Sequence, residues 1–395
     1  MDNIEHNQEY LDSVLELPCP SCGHQLSYSA EKQVIDCDHC GFVKPISQAN
    51  DMVEEKCLKD AAKEMATYTP QTISKKVMSC NSCGAQLMIE EDAIAARCNF
   101  CGSEKVNETA LDKNMIQPQG IIPFAIPKRE ATDKFKKWIA EGWFTPNKLK
   151  KLAALGDVHG IYVPFWTYDA NTFANWSGEA GFHYYVTETY TQDGETRTRQ
   201  VQKTRWEYRS GSFEKFFDDV LIVASKGLPH RLITPIFPYE LEKTINYTND
   251  LMVGWESEIY SLDVLEGYQV AEGQMDTELL RIAKERIGGD TQRGVRVQSE
   301  KWDQTFKHLI LPVWLCSYIY KDKSYQFAVN GQTGKINGTK PTSWVKVTFL
   351  VLVILAILGA IGYFIYMNEQ RKADNYDASF DNQDAIENVI NNRDF

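Results

Sequence analysis

A chain of 395 residues with 43 % apolar and 12 % aromatic side chains is long enough for two or three folded units with real cores, which excludes a disordered protein. Its formal net charge of -12 excludes a general affinity for nucleic acid or anionic lipid, because both need clustered Lys and Arg; only a local patch can make such a contact. Met1 to Glu16 holds five acidic residues and no Lys or Arg, unlike a signal peptide, so the N-terminus is expected to stay in the cytosol.

Eight of the ten cysteines form four C-x-x-C pairs, which are metal knuckles far more often than disulfides and imply a reducing compartment. Cys19, Cys22, Cys37 and Cys40 are spaced as C-x2-C-x14-C-x2-C, and Cys80, Cys83, Cys98 and Cys101 repeat that spacing. Four thiolates suit the tetrahedral preference of zinc and leave no open position for water, so each set predicts a structural zinc ion, two in all. Gly23, Gly41, Gly84 and Gly102 follow the second cysteine of each pair and allow the tight turn that aims N–H groups at sulfur. Between the knuckles, Leu26 and Tyr28, Val34 and Ile35, then Leu87 to Ile89 and Ala93 to Ala96, predict short strands, completing two zinc ribbons. A unit of this size cannot fold on its own core, so metal must supply its stability. His24 and His39 read as surface histidines, the cysteine sets being complete without them. Residues 1–110 carry 18 acidic and 9 basic side chains, which favours protein over phosphate backbones as the partner. Between the ribbons, Val53, Cys57, Ala61 and Met65 recur at helical spacing over Asp51 to Ala66 and predict a helical connector with Cys57 on its apolar side.

From about residue 118 the composition turns aromatic and β-like. Ala131, Phe135, Trp138 and Ile139 predict a helix, and Pro146 with Leu149 and Leu152 predicts the start of a second. Lys128, Arg129, Lys134, Lys136, Lys137, Lys148, Lys150 and Lys151, interleaved with Trp138 and Trp143, form the one basic stretch of this size and a candidate interaction patch. The alternative is a pair of helices with solvated lysines and inward tryptophans. Gly181 to Ser210 alternates around Asp193-Gly194 and predicts a long hairpin arm. Asp276 to Ile287 predicts a helix capped by Asp276 and closed by Gly288-Gly289, and His308 to Asn337 predicts three strands. Tyr162-Val-Pro-Phe-Trp166 and Ile310-Leu-Pro-Val-Trp314 share a Pro-x-Trp pattern that hints at a second internal duplication. Asn330-Gly-Gln-Thr-Gly-Lys335 has the wrong spacing for a phosphate loop and reads as a turn, and no catalytic motif appears, so the chain is expected not to be an enzyme.

Val347 to Met367 is uncharged and predicts a transmembrane helix, with Trp344, Tyr363 and Tyr366 as interfacial aromatics. Lys335, Lys340 and Lys346 before it, against Arg371 and Lys372 after it, place the N-terminal part in the cytosol and the acidic tail outside, in a cytoplasmic membrane. The tail is expected to be mobile apart from a short helix over Ala385 to Ile390. The expected organisation is therefore multidomain: zinc ribbon 1 over 1–47, a helical connector over 48–77, zinc ribbon 2 and a linker over 78–117, a β-rich α+β middle domain over 118–343, the transmembrane helix over 344–367 and the tail over 368–395.

The stretches CPSCG with CDHCG, CNSCG with CNFCG, IIPFAIPKREA, WFTPNKLKK, GIYVPFWTYDA and LPVWLCSYIYKDKSYQFAVNGQTGK together resemble a bacterial family with paired ribbons like those of transcription factor IIB and one C-terminal span. The resemblance implies a membrane component of phage-shock or flotillin-like (SPFH) stress systems that recruits protein partners to the membrane. Some members bear the label primosomal helicase, drawn from the ribbons alone; the missing phosphate loop excludes it here. The expectation is a membrane-anchored zinc-ribbon adaptor, with a membrane-tethered nucleic-acid binder as the alternative.

Overall fold

A computed structural model describes residues 18–44, 53–66, 77–88, 98, 100, 103, 106–109, 115–146, 158–192, 194–252, 255–320 and 323–391. Near the N-terminus, β1 (Ser27–Ser29), β2 (Val34–Asp36) and β3 (Val43–Lys44) form one small sheet. β4 (Lys56–Cys57) and α1 (Leu58–Ala66) follow, then β5 (Val77–Cys80), β6 (Gln86–Met88) and β7 (Val106–Thr109) in a second small sheet. The body comprises β8 (Gly120–Ile121), α2 (Lys128–Ala140), β9 (His159–Gln192), β10 (Glu195–Val223), β11 (Ile245–Asn246), β12 (Glu256–Ser257), α3 (Val264–Ile287), β13 (Thr291–Tyr320), β14 (Lys323–Asn330) and β15 (Ile336–Gly338). α4 (Trp344–Asn391) ends the described chain. Two compact units result: Met1–Trp138 with Ala153–Thr339, and Ile139–Leu152 with Lys340–Phe395.

The first unit is organised by a large sheet of order β10-β9-β13-β14-β15 in which the two Pro-x-Trp segments lie side by side. Val163 pairs with Leu311, its counterpart in the shared pattern, so a local twofold axis passes between them. The bonds on either side repeat. The N–H of Ile122 donates to the carbonyl of Ile310 (3.1 Å) as that of Glu258 donates to Tyr162 (3.0 Å). Trp314 Nε1 donates to the carbonyl of Ile126 (2.8 Å) as Trp166 Nε1 donates to that of Leu262 (2.9 Å), each acceptor two residues before a helix. Ala125 and Ile126 both donate to the carbonyl of Gly331, and Ser261 and Leu262 both donate to that of Ala224. The hinted duplication is therefore present: strand, helix, long strand and return strand occur twice, with the leading strands exchanged, β8 lying parallel to β13 and β12 parallel to β9.

The prolines sit where this pattern needs no donor. On one side of β9 the neighbour changes from β12, paired up to Tyr162, to β10, paired from Phe165, and Pro164 lies at the junction. Pro312 lies at the equivalent junction of β13 between β8 and β14. A residue without an N–H costs no ladder bond there. Its carbonyl still takes a partner, Ala224 for Pro164 and Gly331 for Pro312, both at 2.9 Å.

Both body helices cover one face of the sheet. α3 buries Gly267, Ala271, Met275, Leu279 and Ala283 along one stripe, packed in a cluster with Trp166, Tyr168, Ala170, Phe213 and Phe217. α2 stacks Phe135 on Phe327, with ring centroids 3.7 Å apart. The opposite face carries Ile161, Val163, Phe165, Leu309, Leu311 and Val313 and is covered by Leu228 to Tyr239 and by the second small sheet's Ala85, Cys98 and Phe100. His308 is a core residue: it lies 4.6 Å from the Trp166 ring, its Nδ1 is 2.8 Å from the carbonyl of Ile116, and burial lowers its pKa to about 4.

Four expectations need correction. The body helix begins at Val264, a capping box of Asp263 and Glu266 setting its start, so Asp276 is an interior residue paired with Lys301 (2.7 Å) rather than the cap. Cys57 is exposed on β4, opposite Thr305, because the connector enters the sheet before it turns helical at Leu58. β13 begins at Thr291, well before His308. The tail continues α4 without a break to Asn391, since no Gly or Pro after Gly362 stops it. The hairpin turn between Gln192 and Glu195, which includes Gly194, and the joints before Lys323 and after Asn330 fall where expected. The second helix expected to follow Pro146 through Leu149 and Leu152, and the strand at Ala93 to Ala96, fall on residues outside the described ones.

Gly267 tests the helix-to-sheet contact. A Cβ there would lie 2.3 Å from Tyr168 Oη and 2.9 Å from the Trp166 ring, while Tyr168 Oη donates to the carbonyl of Val264 at 2.7 Å. Gly267→Ala is expected to lower stability by about 1–3 kcal/mol through overpacking, despite its better helix propensity, measured by denaturant unfolding; Gly273→Ala, which meets nothing within 4 Å, should be neutral or stabilising.

Candidate functional site

The two cysteine clusters are built from one hairpin used repeatedly. Cys19, Cys37, Cys80 and Cys98 each donate their N–H to the carbonyl five residues on (His24, Phe42, Ala85 and Ser103) at 2.6–2.9 Å. Gly23, Gly41 and Gly84 close three of these turns at φ of 73°, 74° and 78°, a conformation that favours glycine. The turns bring Cys19, Cys22, Cys37 and Cys40 together, and Cys80, Cys83 and Cys98, with all sulfurs of each cluster within 4.8 Å of one another. Cys101 lies outside the described residues. Sulfur pairs stand at 3.5 Å (Cys19 and Cys40), 3.6 Å (Cys22 and Cys37) and 3.7 Å (Cys83 and Cys98). A tetrahedral ion with bonds near 2.3 Å needs sulfurs about 3.8 Å apart, so both clusters could bind a metal ion. His24 and His39 form an exposed pair beside the first cluster, with ring centroids 5.3 Å apart.

The clusters differ in setting, which the shared spacing did not reveal. The first exposes Cys22 and Cys40 and buries Cys19 and Cys37. Its sheet is held to the body from the far side, where Tyr28 Oη (3.1 Å) and Gln33 Nε2 (2.8 Å) both donate to the carbonyl of Phe124 and Trp255 Nε1 donates to that of Tyr28 (3.1 Å). The second cluster is part of the body core: Cys80 and Cys98 are 2 % exposed, and Gln326 Nε2 donates to the carbonyl of Phe100 at 2.7 Å. Glu258 is buried among these residues. Ser225 Oγ donates to its Oε1 at 2.7 Å while its Oε2 has no hydrogen-bond partner among the described residues, and burial pushes its carboxyl up to about 8.

A third grouping, Asp169, Asp218 and Asp219, reads differently. Lys307 Nζ lies 2.7 Å from Asp219 and 3.1 Å from Glu55, and Asp169 accepts from the N–H of Asp219 (2.6 Å) and from Thr305 Oγ1 (3.1 Å). An ammonium already supplies the positive charge there.

The second unit contains the apolar helix. Trp344–Asn368 is long and apolar enough to cross a membrane and is not buried against protein. Its first turn is held to the segment after α2: Ser343 N–H donates to the carbonyl of Phe144 (2.8 Å), and Lys346 Nζ donates to those of Trp143 (3.1 Å) and Thr145 (2.9 Å). These carbonyls offset a cation at a helix N-terminus, an unfavourable position for it. Trp143 and Trp344 are each 78 % exposed. The basic patch thus divides. In the first unit, Lys128, Arg129, Lys136 and Lys137 are exposed, Lys134 pairs with Glu130 (3.3 Å), Lys136 with Asp133 (3.9 Å), and Trp138 packs near Phe327. Trp143 belongs to the second unit, and Lys148, Lys150 and Lys151 lie outside the described residues.

No family model and no solved structure matches the chain. It is 26 % identical over 374 residues to uncharacterized protein YdjG of Bacillus subtilis (strain 168), an alignment that covers 89 % of this chain and all of the relative.

Two predictions follow from this geometry. Under a chelator with N-ethylmaleimide, Cys22 and Cys40 should be modified well before Cys80 and Cys98, read by peptide mass spectrometry, with exposed Cys57 labelled throughout. Glu258 holds in the folded state a proton that the unfolded chain releases near its usual 4.5, so its contribution to stability is full below that pH and is lost as pH rises through about 8. Glu258→Gln should therefore flatten the stability profile over that window and gain on the order of 4 kcal/mol at pH 9, checked by unfolding at a series of pH values.

Proposed function

We propose that the chain is a membrane-anchored adaptor: α4 spans the cytoplasmic membrane, two four-cysteine zinc ribbons stand on the cytosolic side, and the first of them recruits a protein partner. The observation that carries this reading is the asymmetry between the clusters. One ribbon buried in the core stabilises the body, and one with exposed Cys22, Cys40, His24 and His39 offers a recognition surface. Its acidic surroundings favour a basic protein surface over a phosphate backbone. Cys101 is proposed as the fourth ligand of the second zinc, and both ions are structural, since complete four-thiolate sites leave no position for substrate. The C-terminal tail lies on the outer side, following the lysines before the span. The family resemblance supplies the partner class, a flotillin-like or phage-shock protein of a membrane-stress complex, and the role is that of a scaffold rather than an enzyme.

Affinity capture of the full chain from detergent-solubilised membranes tests the reading. Cys19→Ser/Cys22→Ser is expected to lose its partner by about tenfold or more, equivalent to some 1.4 kcal/mol of binding, while the body stays folded. Cys80→Ser/Cys83→Ser is expected to destabilise the whole body. An unchanged partner set in the first variant would contradict recruitment through this ribbon.

A further inference from the structure

The outer part of the β9–β10 hairpin stands apart from the layers that hold the rest of the sheet together. β13 begins with Thr291 opposite Gly181, so from Phe182 to Gln192 and from Glu195 to Arg205 only two strands run together, with no third strand or helix paired to them among the described residues. At about 3.3 Å per residue the ribbon reaches roughly 35 Å beyond the sheet. A two-stranded ribbon has little core of its own and is at best marginal in water, which makes a partner surface physically useful to it.

Its two faces are sorted by charge. The register runs without a shift from the turn to Phe217 opposite Ala170, so side chains alternate strictly. Arg197, Arg199, Lys203 and Arg205 share one face with Phe182, Tyr184 and Tyr190. The other face, from His183 to Thr191 and from Thr196 to Thr204, carries Thr, Gln, Tyr and His and not one Lys, Arg, Asp or Glu. Four cations meet two carboxylates on the charged face, Glu188 and Glu195, leaving it positive in a chain of net charge -12. The pairs Arg197 with Glu195 (3.2 Å), Arg199 with Glu188 (3.4 Å), Lys203 with Glu188 (3.1 Å) and Arg205 with Glu207 (2.8 Å) are exposed, and exposed pairs are weak, so an external anion can replace them.

The aromatic rings decide which anion. The Arg199 guanidinium lies 5.5 Å from the Tyr190 ring centroid and that of Arg205 lies 5.9 Å from the Phe182 centroid. These two rings are covered and not free to stack on bases, which counts against single-stranded nucleic acid, while Tyr184 on the same face is exposed. A guanidinium beside a ring keeps N–H donors for phosphate. Cations beside a Tyr/Phe layer suit the interface of an anionic surface, and a chain tethered by its own apolar helix meets such a surface at high effective concentration.

We propose that the outer β9–β10 arm lies on the bilayer, its Arg197, Arg199, Lys203 and Arg205 face bound to the phosphates of anionic lipid headgroups. This rests on the reading of α4 as a membrane span. Full-length protein is reconstituted in nanodiscs of phosphatidylcholine alone or with phosphatidylglycerol, and amide hydrogen exchange of residues 182–205 is compared, α3 serving as the control for folding. Exchange in the arm should slow by about tenfold or more with phosphatidylglycerol, and Arg199→Gln should weaken the protection by about fivefold, as expected when one cation leaves the membrane surface. Protein that incorporates but exchanges equally in both lipids overturns the arm proposal and leaves the membrane reading standing. Protection by an oligonucleotide in phosphatidylcholine discs, with none from phosphatidylglycerol, overturns it in favour of nucleic acid. Failure to incorporate removes the membrane reading and the arm proposal with it.

Discussion

Everything in the first unit is arranged around the pairing of β9 with β13 at Val163 and Leu311. Because these residues are counterparts of a repeated pattern, one contact dictates the next. The strand preceding each helix must cross to the other repeat, and each helix then returns to the same face of the sheet. Each proline keeps a carbonyl that ties in the residue after the return strand. Twofold exchange of this kind makes the halves interdependent, since neither can close its sheet without the other's leading strand. It also explains why one face is left for the second cysteine cluster: the helices take the other.

Much of this was legible from residue spacing. C-x-x-C pairs are read directly because metal geometry fixes their separation, and an uncharged run such as Val347 to Met367 has few alternatives to a membrane-competent helix. The β9–β10 turn was legible because an Asp-Gly pair favours the positive φ that such turns need, and Gly194 adopts a φ of 79°. The true start of α3 is marked in the sequence by the Asp263 to Glu266 capping box, and Gly267 just after it lets the helix approach Tyr168 and Trp166. Cys57 was misjudged because a pattern shared by strand and helix ends cannot say which comes first. The unequal burial of the clusters had no local signature at all, since it is set by Leu228 to Tyr239 and by strands hundreds of residues away.

That inequality is what the proposed function rests on. A metal ion held inside the core would act as a staple, whereas one held at the surface with its knuckles turned to solvent would leave room for another molecule without disturbing the body. The second unit keeps to the same logic. Lys346 Nζ donates to carbonyls of the Trp143 to Thr145 turn, and the two exposed tryptophans flank the start of a helix that presents apolar side chains on every side. Such a helix is long and apolar enough to cross a membrane, and indoles are the side chains that favour a membrane boundary.

The account stands or falls on the metal. Elemental analysis of the intact chain purified from membranes should find two zinc ions per polypeptide, with four-sulfur coordination in X-ray absorption. A chain that is folded, monodisperse and free of zinc or any other divalent metal would contradict it.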